Sequence, residues 1–486
     1  MHPERCPLLR NSRTTDSLRL GHRASSSPVW GRAFAACALL GCALAAQVRH
    51  DDIAKGAGDD WPTYAGTYAG WRYSPLKQIT AANAKNMVPK WIYRVPNARG
   101  LQGTPLVYQG VLYMTNTNSI YAIDAASGRL AWQYVDPRAE KAGPNRGSAL
   151  WGDRIYFTTS DNYLVALNRH TGELIFNKKF ADSKLGTTST SAPLAVKGKI
   201  IVGSSGGDSG MRGFIMALSA DTGEEIWKTY TVPAMGEKGS ETWGDLIDYG
   251  GGAAWLSGTF DPALNTLYWA TGNPWPDYNG DVRKGDNLYT CSLLALDLDT
   301  GKMKWHFQFT PHDTHDWDAQ SWPVLLDTEI AGKPRKAVLH ANRNGFFYAL
   351  DRVTGEFLRA TQLIDKVTWA KGIDDKGRPI LLPNSDPTPQ GNWVCPSVKG
   401  ATNWMGQSYN PGTGLLYVLT LEQCGMYFRS SQKPEPMKNF SGGGATEEGG
   451  QVLLRALDPK TGKRAWEYPM TGLGRMWTGT VSTAGG

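Results

Sequence analysis

The sequence predicts an all-β fold, a β-propeller of four-stranded blades, on three observations. A segment of the form Ala-x-Asp-x-x-Thr-Gly-x-x-x-Trp occurs in six recognisable copies, starting at Ala122, Ala166, Ala217, Ala295, Ala349 and Ala456. Most copies start 44 to 54 residues apart, the span of four strands with their turns. The composition, with 56 Gly, 19 Trp and 20 Tyr in 486 residues, favours strands and turns over helices.

Each copy reads as the end of one strand, an Asp/Thr/Gly turn and a second strand led by a large side chain. Gly supplies the left-handed residue of the turn, and each Trp is expected to pack against the neighbouring blade. The intervals between starts are 44, 51, 78, 54 and 107 residues. The 78 contains an insertion around Asn273 to Asn287. The 107 reads as two repeats of about 53, with Tyr409 to Val418 (YNPGTGLLYV) as the front half of one that has lost its marked back half. Six marked blades and one unmarked are followed by a fresh start at Trp477 (WTGTVSTAGG), so the expected architecture is an eight-bladed propeller with its last blade largely missing at the C-terminus. The alternative is a seven-bladed ring closed by the N-terminal strand.

Residues 1–46 read as an export signal, 47–59 as a linker and 60–486 as the propeller. Six arginines against Glu4 and Asp16 precede the apolar run Ala33 to Ala46, too short for a permanent span, with small residues for cleavage near Ala43 to Ala45. A lipoprotein leader ending at Cys42 is the second reading. Either way the expected location lies outside the cytoplasm, in the periplasm. The leader holds four of the seven net positive charges, and no basic run with interleaved aromatics argues for nucleic acid. Outside the leader the cysteines are Cys291, Cys395 and Cys424; Cys395 and Cys424, 29 apart, are the disulfide candidates, with Cys291 left free. No Cys-x-x-Cys-His for covalent haem occurs.

Chemistry concentrates in Thr310 to Gln320 (TPHDTHDWDAQ), three aspartates and two histidines after a strand pair. In an extended chain Asp316 and Asp318 fall on one side, where they can share a cation or leave one carboxylate perturbed as a base. A solvated acidic turn is the plain alternative.

The repeats, together with landmarks in order from Trp61 to Gly486, resemble the pyrroloquinoline quinone (PQQ) dependent dehydrogenases of the methanol and ethanol type. That resemblance implies a role for each matching residue. Arg146 of Asn145-Arg146-Gly147 pairs with a PQQ carboxylate, and Thr190, Ser205, Gly206 and Gly207 line the cofactor. Trp255, after Gly250-Gly251-Gly252, stacks under the PQQ rings; Gln102, Asn403, Trp404 and Trp477 make further cofactor contacts. Asp208, Asn273 and Asp316 hold one cation, Ca2+ or a lanthanide, with Asp318 where lanthanide-using members carry an extra carboxylate. Asp316 is the catalytic base, and Arg343 stands beside the reactive quinone carbonyl. An o-quinone accepting hydride gathers negative charge on oxygen, so a cation and an arginine aimed there suit the chemistry.

The sequence departs from the family at three places. The pair of adjacent cysteines that other members place over the quinone is absent between Tyr134 and Arg146. Asp208 replaces a Glu, and Gln102 stands where many members have Glu. The implied activity is oxidation of a primary alcohol to the aldehyde, with electrons passed to a separate c-type cytochrome or other external acceptor; a homodimer is left open. The competing readings are a PQQ sugar dehydrogenase and a non-catalytic scaffold of the outer-membrane assembly type, which would have lost these site residues.

Overall fold

The computed structural model describes residues 47–486 apart from 57, 99, 139–142 and 473–477. The leader 1–46 and Trp477 therefore lie outside the described residues. Residues 47–486 form one compact unit, and its only α-helix among the described residues is His50–Ala54. No helix among them is long and apolar enough to cross a membrane.

Six four-stranded antiparallel sheets run in chain order over residues 106–135, 149–179, 194–230, 259–308, 324–362 and 408–469. In each, the repeated segment joins the third strand to the fourth. In the fourth sheet, for example, Ala295 pairs with Trp305 and the register shifts one residue later, where the turn begins. The turn folds because its first Asp caps it: Asp297 Oδ1 accepts from the amides of Asp299 (3.2 Å) and Thr300 (3.1 Å), and Gly301 takes φ +68°.

In the first five sheets the large side chain of the fourth strand docks on the turn of the next sheet, as expected for the Trp of the repeat. Trp132 donates through Nε1 to Arg169 O at 3.1 Å, Trp227 to Leu298 O at 2.9 Å and Trp305 to Arg352 O at 3.3 Å. The indoles lie flat against the turn glycines, so a Cβ on Gly172, Gly301 or Gly355 would approach them to 2.7 Å or less. Where the repeat has Arg359 in place of Trp, its guanidinium performs the same docking on Lys460 O and Pro459 O.

Two expectations are corrected. The 107-residue interval is one sheet, not two repeats: the unmarked strand Leu415–Glu422 pairs directly with Gln451–Leu457 of the Ala456 copy, Tyr417 opposite Ala456. The extra length belongs to a Lys371-containing hairpin (Ala370–Ile373 with Pro379–Leu381) and a three-stranded sheet of Asn392–Val394, Gly425–Arg429 and Gly443–Glu447. That sheet carries the expected disulfide, Cys395–Cys424, with Cα atoms 4.3 Å apart, and Cys291 is buried and free. Residues 47–59, expected as a linker, are held to the sheets: Val48 bridges Gly152, and Val48 and Ile53 are buried in the largest apolar cluster.

The segment 61–74 crosses the first strands of five sheets. Trp61 pairs with Val107, Tyr68 Oη donates to Ala195 O, and Phe260, Leu325 and Tyr409 donate amides to Tyr68, Ala69 and Trp71. Gly70 is required in this thread, since a Cβ there would meet Trp322 Nε1 at 2.3 Å.

Candidate active site

Loops of successive sheets supply one polar cavity of about 290 Å³, lined by Arg146, Thr190, Ser205, Asp208, Trp255, Asn273, Asp316, Asp318 and Arg343 among others. That volume sits at the small end of the range for small-molecule sites, roughly 300–1,000 Å³.

The acidic loop is fixed by its own side chains. Buried Asp313 caps it, accepting from the amides of Trp317 (3.0 Å) and His315 (3.3 Å), and Arg283 donates to Asp313 O at 2.6 Å. His315 stacks on Trp317 with ring centroids 4.2 Å apart, and Trp317 Nε1 donates to Ser397 O. The segment is a turn and not an extended strand, since Asp316 takes φ +59°. That turn still brings Asp316 and Asp318 to one cavity. Arg343 bridges them, Nη1 to Asp318 Oδ2 at 2.7 Å and Nη2 to Asp316 Oδ2 at 3.8 Å.

Asp318 faces inward. Its carboxylate accepts from Asn273 N at 2.8 Å and Trp255 Nε1 at 3.2 Å besides Arg343, and it enters between sheets because Gly272 has no side chain; a Cβ there would sit 2.5 Å from Asp318 Oδ1. The Asp316 side chain is 26% exposed, open to the cavity. Burial raises Asp318 to about 6. Burial also holds Asp316 well above the usual carboxylate range, with Asp318 and Asp208 adding to the rise and Arg343 opposing it. Asp208, on the short 3-10 turn Gly207–Ser209, is raised by burial as well.

On the other side of the cavity, Arg146 Nη1 donates to Thr190 Oγ1 at 2.6 Å, which shares a 2.7 Å hydrogen bond with Ser205 Oγ. The Arg146 guanidinium lies between two indoles, 4.6 Å from the Trp255 ring centre and 4.8 Å from that of Trp404. Burial lowers Arg146 to about 10. Asn403 braces this corner, accepting from Trp404 N and donating to Lys399 O. Gln102 is placed elsewhere, in a separate cavity of about 790 Å³ with Asn116, Thr117 and Pro144, where its buried Oε1 has no hydrogen-bond partner among the described residues.

The sequence reading missed Asp277. It is 3% exposed, accepts from Asn273 Nδ2 at 2.8 Å and is pushed well up by burial and then by Asp208 and Asp316. Its position in the 273–287 insertion, outside any repeat, left no pattern to find it by.

These donors fit a cation and a flat anionic cofactor. The carboxylates of Asp208, Asp277, Asp316 and Asp318 crowd together and raise one another, which a cation would offset. Among the described residues no three His, Cys, Asp or Glu side chains converge closely enough to hold a metal unaided, so the Asn273 amide and donors from a bound cofactor are needed to complete a shell. Among the described residues Arg146 and Arg343 each keep a buried Nε without a partner, and the indole face that takes a flat guanidinium also suits a flat ring.

Fold and site together define a β-propeller with an acid-rich pocket framed by arginines and indoles. The chain belongs to the family described as PQQ: Glucose/ethanol/alcohol dehydrogenase, beta-propeller domain, which matches residues 61–363. It is 40% identical over 462 residues to quinohemoprotein alcohol dehydrogenase ADH IIB of Pseudomonas putida, covering 88% of this chain and 66% of that protein. It is 39% identical to quinoprotein alcohol dehydrogenase PedH, also of Pseudomonas putida, covering 86% and 76%. Among solved structures it matches a europium-containing methanol dehydrogenase with TM-score 0.84 at 32% identity, covering 90% of this chain and 82% of that one. The quinohemoprotein alcohol dehydrogenase of Comamonas testosteroni matches with TM-score 0.83 at 35% identity, covering 92% and 73%.

Proposed function

We propose that this chain is a periplasmic PQQ-dependent dehydrogenase that oxidises a primary alcohol to the aldehyde and passes electrons to a separate c-type cytochrome. The observation that carries this reading is the convergence of Asp208, Asn273, Asp316, Asp318, Trp255, Arg146 and Arg343 on one cavity. A non-catalytic scaffold has no need of that convergence.

In this reading Asp208, Asn273 and Asp316 hold one cation, Ca2+ or a lanthanide, and Asp318 is the fourth side chain at its edge. PQQ when bound supplies the two-electron acceptor for the hydride leaving the alcohol carbon. The rest is the work of the chain. Asp316, kept ionised by the cation, takes the hydroxyl proton on its carboxylate, the general-base step. Arg343 stabilises negative charge as it develops nearby, and the cation that Asp208, Asn273 and Asp316 would hold would supply further positive charge there. Trp255 sets the plane of the ring, and Arg146, Thr190 and Ser205 hold its polar edge.

The test is reconstitution of the full chain with PQQ and either Ca2+ or La3+, followed by dye reduction with primary alcohols and with glucose. Alcohol-dependent reduction that needs both PQQ and one of the ions is expected. Reduction with glucose alone would replace the alcohol reading by a sugar dehydrogenase, and no turnover with any substrate would reject catalysis.

A further inference from the structure

The 273–287 insertion holds a carboxylate that the function above does not use. Asp277 Oδ1 accepts from Asn273 Nδ2 at 2.8 Å, and Pro274 O accepts from the same nitrogen at 3.3 Å. Both partners are acceptors, so the amide must present its NH2 group to them. A flipped amide would set Oδ1 against a carboxylate and a carbonyl. Asn273 Oδ1 is thereby left for the cavity, and among the described residues no donor engages it.

Asp277 is itself anchored on its far side. The Ser441 side chain favours the charged form of its carboxylate, Tyr278 N donates to Ser441 O at 2.9 Å, and Arg283 donates to Asp277 O at 3.2 Å. Ser441 belongs to the segment between the strands Gly425–Arg429 and Gly443–Glu447. The same segment grips the opposite ligand loop, with Phe440 N donating to Asp208 O at 3.1 Å and Met437 N to Ser209 O at 2.7 Å. One stretch of chain therefore ties the Asn273 loop to the Asp208 loop.

We propose that Asp277 is a positioning residue of the cation site, which fixes Asn273 with Oδ1 toward the ion and, ionised once the ion is bound, adds a negative charge just outside the ligands. The inference rests on the cation and PQQ reading of this cavity. It deepens that reading by making ion choice depend on a residue that touches neither substrate nor cofactor. The orientation effect acts on any ion. The charge acts more strongly on a trivalent ion than on a divalent one, because Coulomb attraction scales with ionic charge. Partners that orient a metal ligand are typically worth about 10- to 100-fold in affinity.

Two variants separate these effects. Asp277→Asn keeps an acceptor for Asn273 Nδ2 and removes the charge; Asp277→Leu removes both. The full chain with PQQ at pH 7 is titrated with Tb3+, read by indole-sensitised emission, and with Ca2+ by competition; thermal unfolding reports whether each variant is folded. For Asp277→Asn, Tb3+ affinity should fall about 10-fold and Ca2+ affinity clearly less. For Asp277→Leu both should fall, by about 10- to 100-fold. Should Asp277→Leu not fold, Asp277→Asn decides alone. Folded variants with wild-type constants for both ions would overturn the role of Asp277 and leave the cation site standing. A wild type that binds neither ion would overturn the cation reading and this inference with it.

Discussion

The repeat turns and the acidic loop solve the same problem, holding a tight turn with an aspartate, and differ in what surrounds them. In the turn after Ala295, Asp297 caps two amides at the sheet edge beside solvent-exposed Asp299 and Thr300, and the preceding sheet docks on the turn through the Trp227 indole and the Thr229 hydroxyl. In the loop after Phe309, Asp313 caps two amides in the interior, and the loop's other backbone and ring groups are taken by Arg283, Ser385 and Ser397 from distant segments. A repeat turn can be lost or altered at the cost of a few docking contacts. The acidic loop depends on many partners and repays them with geometry at Asp316 and Asp318.

That contrast can be broken most sharply at Asp316. Asp316→Asn should lower alcohol-dependent turnover by about 10²- to 10⁴-fold with little change in unfolding midpoint, since Asn also tolerates the left-handed backbone there. Undiminished turnover would remove Asp316 from the chemistry. The docking side should show the reverse: Trp227→Ala, which empties the contact with Leu298 O and Gly301, should cost about 3–5 kcal/mol in denaturant unfolding. Removing the disulfide by Cys395→Ala with Cys424→Ala opens a 29-residue separation and should cost about 2–4 kcal/mol in the oxidised protein.

The smallest effect is a pH dependence. Burial lowers His340 to about 4, while an unfolded histidine titrates near 6.5. Between those values the unfolded chain binds the extra proton, so this share of stability is complete above 6.5 and is lost as pH falls toward 4. The wild type should lose about 2 kcal/mol of it between pH 7 and pH 5. His340→Gln, which can still donate to Ala319 O, should remove that share, seen as a shallower difference between unfolding curves at the two pH values.

The sheets were legible in the sequence because one turn recurs with the same residues, and a recurring turn fixes a recurring pair of strands. Most site residues were legible through short motifs that the family resemblance put in order, and among the described residues the structure gathers all of those but Gln102 around one corner. What stayed hidden has no local signature. The break in the sixth sheet was misread because Tyr409 to Val418 and Ala456 pair across a long excursion, which similarity along the chain cannot reveal. Asp277 was overlooked because its meaning comes from Asn273 and Ser441, neither of which marks it in the sequence. The left-handed turn at Asp316 carries no mark in the sequence because its left-handed residue is not a glycine.

The thread 61–74 bears on how this molecule assembles. Docking of each sheet on the next would by itself allow folding to spread from neighbour to neighbour, as in linear repeat arrays. Contacts such as Tyr68 with Ala195 and Trp71 with Leu325 join positions 127 and 254 residues apart, so the thread cannot seat until distant first strands exist together. Closing such long loops is slow and precedes the reward of the contacts they bring. An early-synthesised stretch of the chain is therefore a late-placed one, and sheets formed in its absence leave their first strands waiting for it.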